Sequence, residues 1–100
     1  MELLNQAPAS DTVRLSRFKV EVPLLGPKDH TNLVFTTPDK FLPMTIAVYF
    51  NGARIRRGVG EDFTVSESAG PGTGYDTVTL LDAVLAPYAT EQLFADYIQA

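Results

Sequence analysis

Few residues in this sequence of 100 have the types and spacing that catalysis or metal binding requires, and the first is His30. It is the only histidine, and the chain has no cysteine, so His30 has no second imidazole or thiolate with which to share a transition metal. A serine–histidine pair would need a nucleophile signature such as Gly-x-Ser-x-Gly, which is absent. The polar neighbours Lys28 and Asp29 are typical of a solvated loop. We therefore predict no catalytic or metal-binding role for His30.

The glycine-rich segment at residues 68–74, Ser-Ala-Gly-Pro-Gly-Thr-Gly, has the composition of a phosphate-binding loop. Such a loop ends in Gly-Lys-Ser or Gly-Lys-Thr and leads into a helix whose backbone amides hold the phosphate. Here that ending is missing, and the segment leads into a β-rich run at residues 77–81. The pattern predicts a hairpin loop and no nucleotide cofactor.

Five carboxylates border predicted loops, and in principle they could form a glycosidase pair or a calcium site. They are Glu61, Asp62, Glu67, Asp76 and Asp82. Their spacing does not match the alternating oxygen ligands of a calcium loop. A glycosidase pair also requires two opposed carboxylates across a substrate cleft, which a small sandwich rarely has. We expect these side chains to be solvated at strand ends, so the sequence indicates neither an enzyme nor a cofactor.

The basic cluster of the chain consists of Arg54, Arg56 and Arg57, although the net charge is −4 and the pI is about 4.7. An acidic surface repels phosphate backbones, so nucleic acid is not an expected partner. The arginines have two interpretations. They could be edge-strand charges that prevent aggregation, or they could dock onto an acidic patch of a partner subunit.

A predicted β-hairpin positions these arginines. Apolar residues alternate through residues 44–50, and the Asn-Gly pair at 51–52 follows. This pair indicates a two-residue type I′ turn, because both residues tolerate positive φ. Residues 53–57 return as the partner strand, with Arg54 and Arg56 on the face opposite to the apolar residue between them. The tip of the hairpin should therefore be locally positive.

Four further segments alternate in the manner of strands, at residues 12–22, 33–37, 63–66 and 77–81. In the first, the apolar phase shifts by one residue midway. This shift predicts a bulge or break at residues 16–17 and a common face for Phe18, Val20 and Val22. The second segment is expected to stop at Pro38.

The carboxyl-terminal segment fits two kinds of structure. A helix beginning at a Thr90 cap would place the apolar residues that follow at helical spacing. A strand over residues 92–98 would instead bury Leu93, Ala95 and Tyr97 on one face. Short strands joined by Gly and Pro turns elsewhere in the chain favour the strand.

The whole pattern predicts an all-β fold in one domain over residues 12–100, an immunoglobulin-like β-sandwich of six or seven short antiparallel strands. Residues 1–11 are expected to form a flexible arm, in which Leu3 and Leu4 would be stranded in water unless a partner covers them. The amino end lacks the features of a signal peptide. No apolar stretch approaches the ~20 residues that a membrane helix needs, so we expect no membrane span.

Eight short motifs follow one another between Phe35 and Tyr97, over about two thirds of the chain. They are Phe35-Thr-Thr, Phe41-Leu-Pro, Val48-Tyr-Phe-Asn-Gly, Gly60-Glu-Asp-Phe-Thr-Val, Gly72-Thr-Gly, Thr77-Val-Thr-Leu, Ala86-Pro and Ala95-Asp-Tyr. Their order resembles small β-sandwich modules in structural proteins of tailed bacteriophages, whose pattern runs Phe-Thr, Val-Tyr-x-Asn-Gly, Asp-Tyr-Thr and Asp-x-Leu-x-x-x-Tyr. Phe63 stands where that pattern has tyrosine. Glu91 stands near where it often has Gly-Asp, which would weaken the final turn.

The resemblance implies a non-catalytic spacer or docking unit of a virion, in a tail fibre, neck, baseplate appendage or capsid decoration. It also implies other virion subunits as partners and many copies, or a homo-oligomer, in a symmetric assembly. Symmetric repetition lets many weak contacts act together. The candidate docking residues are then Leu3 and Leu4 of the arm and Arg54, Arg56 and Arg57 of the hairpin.

The alternative function is a carbohydrate-binding module, because such sites stack sugar rings on exposed aromatic side chains. The candidates are Tyr49, Phe50, Tyr75, Tyr88 and Tyr97. Strand alternation is expected to bury several of them. A flat exposed row of two or three would favour glycan binding.

Overall fold

The computed structural model describes residues 17–100, which form seven β-strands and one short 3₁₀ turn, Ala83–Leu85. The strands are β1 (Phe18–Pro23), β2 (Val34–Phe41), β3 (Ala47–Phe50), β4 (Ala53–Ile55), β5 (Phe63–Ser66), β6 (Tyr75–Leu80) and β7 (Leu93–Ile98). The predicted all-β class is confirmed. The predicted arm with Leu3 and Leu4 lies outside the described residues, as does the start of the first predicted strand.

The strands form two antiparallel sheets with the orders β1-β7-β3-β4 and β2-β6-β5. Successive side chains of a strand point to opposite faces of its sheet, and one face of each sheet supplies the core. The largest side chains that are completely buried there are Tyr97, Phe35, Phe41 and Phe63. The result is a two-layered, sandwich-like domain.

The hairpin of β3 and β4 forms as the sequence predicts. Phe50 pairs with Ala53 across the two-residue turn, and Asn51 and Gly52 have φ values of 50° and 85°. Positive φ at both central residues defines a type I′ turn. β3 is shorter than the alternation over residues 44–50 suggests, because the backbone N–H of Thr45 donates to the carbonyl oxygen of Leu42 in a turn that precedes β3.

The irregularity predicted at residues 16–17 falls at the limit of the described residues, and the structure has an irregularity further along the first strand. Between the pairs Lys19–Tyr97 and Val22–Ala95, β1 has one more residue than β7, which is a β-bulge. Glu21 adopts φ 52° there, and its backbone N–H donates to Asp96 Oδ1 at 2.8 Å.

The predicted common face of this strand is therefore wrong. Phe18 and Val20 are exposed, whereas Val22, beyond the bulge, packs against the core. A bulge changes the face that the following side chains occupy.

The prediction that the next strand stops at Pro38 is also wrong, because β2 continues to Phe41. Pro38 lies in the stretch between Thr36 and Phe41 where β2 and β6 are out of register, so the missing N–H of proline interrupts no ladder. Beyond this stretch, Phe41 forms a bridge with Gln99 next to β7. The end of β2 thereby ties the two sheets together.

The carboxyl-terminal segment is a strand, as predicted. Leu93, Ala95 and Tyr97 are buried, and their neighbours Phe94 and Asp96 turn to the other face of the sheet. β7 lies between β1 and β3 and pairs with both. In residues 17–100, no helix is long and apolar enough to cross a membrane.

Candidate functional site

His30 joins two loops at one end of the domain. Its ring stacks on Tyr88, with 3.8 Å between the ring centroids and 10° between the planes. Its Nδ1 lies 2.7 Å from the carbonyl oxygen of Ala86, and its backbone N–H donates to Pro87. A carbonyl accepts only, so Nδ1 carries the proton and donates. His30 thus holds the β1–β2 loop against the β6–β7 loop.

The tip of the β3–β4 hairpin is tied to the same end by Glu91. The Glu91 carboxylate accepts hydrogen bonds from the backbone N–H of Tyr88 at 2.9 Å and from Asn51 Nδ2 at 3.0 Å. The Tyr88 bond and the Asn51 amide both lower the pKa of Glu91. Asn51 Oδ1 in turn accepts from the backbone N–H of Gln92 at 2.8 Å.

These contacts correct one prediction made from the sequence. Glu91 stabilises the turn at residues 88–91, where its departure from the phage pattern was expected to weaken it. The Asn51 end of the hairpin contacts the Glu91 carboxylate, and the three arginines lie further along the hairpin.

The glycine-rich segment connects β5 and β6 as a hairpin loop and surrounds a carboxylate of the protein itself. Glu67 accepts from the backbone N–H groups of Gly72 at 3.2 Å and Gly74 at 2.9 Å. Asp76 accepts from the Ser68 hydroxyl at 2.6 Å and from the Ser68 N–H at 2.9 Å, and it pairs with Lys40 at 3.2 Å. The backbone amides of Gly72 and Gly74 therefore donate to Glu67 of the protein itself.

Two of the remaining carboxylates of the predicted set stabilise the ends of strands and turns. Asp62 Oδ2 accepts from the backbone N–H of Arg56 at 2.7 Å, and Asp82 caps the 3₁₀ turn by accepting from Val84 N–H at 3.0 Å. Nowhere in residues 17–100 do three His, Cys, Asp or Glu side chains gather at a metal-binding distance.

The arginine edge, which comprises Arg54, Arg56 and Arg57, lies on and just beyond β4, the outermost strand of its sheet. All three side chains are exposed. Between Arg54 and Arg56, Ile55 packs against the core, so these two arginines share the outer face as predicted. Arg57 donates to the carbonyl oxygen of Pro43.

Two properties make the arginine edge a candidate docking surface. No ion pair within residues 17–100 engages any of its guanidinium groups. The three side chains border a groove of about 480 Å³ whose other lining residues are Ile46, Ala47, Ile55, Glu61 and Phe63. A guanidinium that is free at an interface can form bidentate hydrogen bonds to a carboxylate.

The aromatic residues proposed for glycan binding do not form an exposed row. Tyr97 is completely buried, and Phe50 and Tyr75 pack against the core. Tyr88 is exposed, but His30 covers one face of its ring. The fifth candidate, Tyr49, is half-buried and lines a groove.

This second groove, of about 550 Å³, was not predicted from the sequence. It lies on the outer face of the four-stranded sheet and is lined by Val20, Glu21, Tyr49, Gly52, Gln92, Phe94 and Asp96. Tyr49 of β3 pairs with Phe94 of β7 at its centre. Alternation of Phe94 with the buried residues of β7 is the signal in the sequence that places its side chain here.

Comparison with known proteins finds no matching family model, no similar curated protein and no similar solved structure.

Proposed function

We propose that this protein is a non-catalytic structural component of a bacteriophage virion, present in many copies, that acts by docking onto other virion subunits. The resemblance of its motifs to phage β-sandwich modules supports the virion role. The arginine edge supports docking, and it is the observation that carries the mechanism. The proposed location is the tail, the neck or the capsid surface of the particle.

The strand order supports an immunoglobulin-like form of the sandwich. In immunoglobulin domains, strands D, E and B lie side by side in one sheet, and C′, C, F and G in the other. Here β5, β6 and β2 have the first arrangement, and β4, β3 and β7 have that of C′, C and F. These six strands also follow one another along the chain as B, C, C′, D, E and F do. The position of G beside F is taken by β1, which comes first in sequence.

The motifs of the resemblance are residues of the core and turns, which supports a shared fold. Phe35, Val48 and Ala95 are buried, and Asn51 and Gly52 form the type I′ turn. These positions maintain the sandwich, so a module of this kind can vary its exposed residues and dock onto different partners.

The arginine edge can bind an acidic patch on a neighbouring subunit. Its strand, β4, has only three residues. The backbone of Arg56, just after it, is engaged by Asp62 and Phe63, which limits the free backbone available for strand addition. Side-chain contacts are therefore the expected means of docking. An electrostatic contact of this kind speeds association and weakens as salt rises.

The test is incorporation into particles. Arg54, Arg56 and Arg57 are changed to Ser, singly and together, and the amount of each variant in purified particles is measured by quantitative mass spectrometry. The triple variant should fold with a sheet-dominated circular dichroism spectrum and should be depleted at least tenfold. Arg17→Ser, which removes one exposed arginine just before β1, is the matched control and should incorporate normally.

Two results would contradict parts of the proposal. Normal incorporation of the folded triple variant would mean that docking uses another surface. Complete absence of the wild-type chain from purified particles, judged by mass spectrometry and by density in electron-microscopy maps, would mean that it is not a virion protein. Deletion of residues 1–11 tests the predicted arm separately in the same assay.

A further inference from the structure

The outer face of the four-stranded sheet has an exposed apolar centre. Phe18 and Val20 of β1 are 50% and 55% exposed, and Tyr49, Phe94 and Ile98 are half-buried on the same face. Exposed apolar patches on a small domain commonly mark a surface that contacts a partner.

Charges of opposite sign flank this apolar centre. The acidic edge consists of Glu21 on β1 and Asp96 on β7, both of which line the outer groove. At the opposite edge, Arg54 lies directly across from Tyr49, and Arg56 follows on the same face of the hairpin. Three strand spacings separate β1 from β4, or about 14 Å. The face is therefore acidic on one side and basic on the other.

We propose that this face binds the same face of a second copy of the chain, with the acidic edge of each copy opposite the arginines of the other. A two-fold axis that lies between the faces and runs parallel to the strands exchanges the two edges. Glu21 of one copy then meets Arg54 of the other, twice. A two-fold axis across the strands would place acid on acid, so charge selects the first arrangement.

The size of the face indicates a weak dimer. Its four strands have three to six residues each and cover roughly 19 by 16 Å, so two faces bury on the order of 600 Å², below the ~1,200 Å² of stable interfaces. Such a contact is marginal for isolated molecules and becomes effective where copies are held close together in an assembly. The choice of a second copy as the partner thus rests on the proposed multicopy role.

Charge reversal provides the test, because neither of the two side chains chosen holds the described part of the fold together. Within residues 17–100, the one hydrogen bond that Glu21 forms to another side chain uses its backbone N–H, and no hydrogen bond or ion pair of the Arg54 side chain occurs there. The variants Glu21→Arg and Arg54→Glu are each purified as the full chain, and their self-association is measured by sedimentation equilibrium at low salt up to on the order of 1 mM.

Wild type should self-associate at the upper concentrations, and each variant should associate at least fivefold more weakly. An equimolar mixture of the two variants should associate as tightly as wild type or more so, because both charge contacts of the mixed dimer again join a cation to an anion. The double variant E21R/R54E should also recover. In addition, Val20→Ser should weaken the dimer, whereas Val59→Ser, at a side chain 95% exposed elsewhere, should not.

A wild-type chain that remains monomeric throughout, or a mixture that associates no better than its separate components, would overturn the dimer. Circular dichroism of each variant establishes that it is folded. The measurement uses purified chain in solution, so its failure is distinct from failure of the virion role, which is judged by presence in particles.

Discussion

The hydroxyl of Tyr97 in β7 donates a 2.9 Å hydrogen bond to a carboxylate oxygen of Asp39 in β2, and this bond connects the two sheets. The Tyr97 side chain is completely buried in the core. Gln99 Nε2 donates to the other oxygen of Asp39 at 3.3 Å. The Ala95-Asp-Tyr motif of this chain therefore has a structural explanation: Asp96 holds the bulge of β1 on one face, and Tyr97 joins the sheets on the other.

Removal of the Tyr97 hydroxyl should weaken this connection. Tyr97→Phe keeps the ring and its packing against Phe41, so the loss is that of one hydrogen bond to a charged group, about 1.5–3 kcal/mol in free energy of unfolding. Tyr88→Phe is the matched control, because it keeps the stack on His30 and is expected to change stability by less than ~0.5 kcal/mol. Urea unfolding of both variants measures the difference, and equal effects would contradict this role for Tyr97.

The same tyrosine should make the protein sensitive to alkaline pH. Burial and the neighbouring Asp39 raise the pKa of Tyr97 from 10.0 to about 12. Since the folded state holds this proton more tightly than the unfolded state, the stabilisation is fully present below pH 10 and is lost as pH rises towards 12. Wild type should therefore lose more stability over this range than Tyr97→Phe in urea titrations at each pH. Parallel pH profiles for the two chains would show that the pKa of Tyr97 is not raised.

The hairpin could be predicted from sequence because its information is local. Alternation before residues 51–52 and the φ tolerance of Asn and Gly are sufficient to determine the turn. The register of β1 could not be predicted, because it depends on a hydrogen bond between Glu21 and Asp96, which are 75 residues apart. The continuation of β2 through Pro38 also depends on a distant strand. No residue of β2 between Thr36 and Phe41 pairs with β6, so Pro38 can lie there without breaking the ladder.

The two candidate surfaces differ in the same respect: one depends on local sequence and the other on contacts between distant strands. The arginine edge is visible in the sequence, because three cations occur in four residues of one hairpin. The apolar outer face is not, because it brings β1, β7 and β3 together and requires the bulge that turns Phe18 and Val20 outward. Because the sequence predicted a common face for Phe18, Val20 and Val22, it could not predict the outer groove that Val20 and Glu21 line with Tyr49 and Phe94.

The type I′ turn provides a prediction about backbone strain alone. Gly52 has φ 85°, and a Cβ atom placed there would meet no atom within 4 Å. Gly52→Val should destabilise the fold by roughly 1–3 kcal/mol, because a β-branched residue is strained at positive φ. Gly52→Asn, which tolerates this conformation, is the control and should cost less than ~1 kcal/mol. Thermal unfolding compares the two, and equal melting temperatures would exclude backbone strain as the cause.

The carboxylate of Asp76 should make stability sensitive to acid. Its hydrogen bonds with Ser68 and Thr77 and its ion pair with Lys40 lower its pKa well below the usual 3.8. Because the folded state releases this proton more readily than the unfolded state, the stabilisation is present above about pH 5 and is lost as pH falls towards 2. Asp76→Asn should cost about 1–2 kcal/mol at pH 7 and flatten the acid limb of the stability profile.

Glu61 offers the matched control for this variant. Its carboxylate is exposed and forms no hydrogen bond within residues 17–100, so Glu61→Gln should leave the acid limb as it is in wild type. The profiles are measured by urea unfolding from pH 2 to pH 7. If Asp76→Asn and wild type lose stability in parallel below pH 5, the loop between β5 and β6 does not depend on the charge of Asp76. In that case the amides that surround Glu67 would be sufficient to hold the loop.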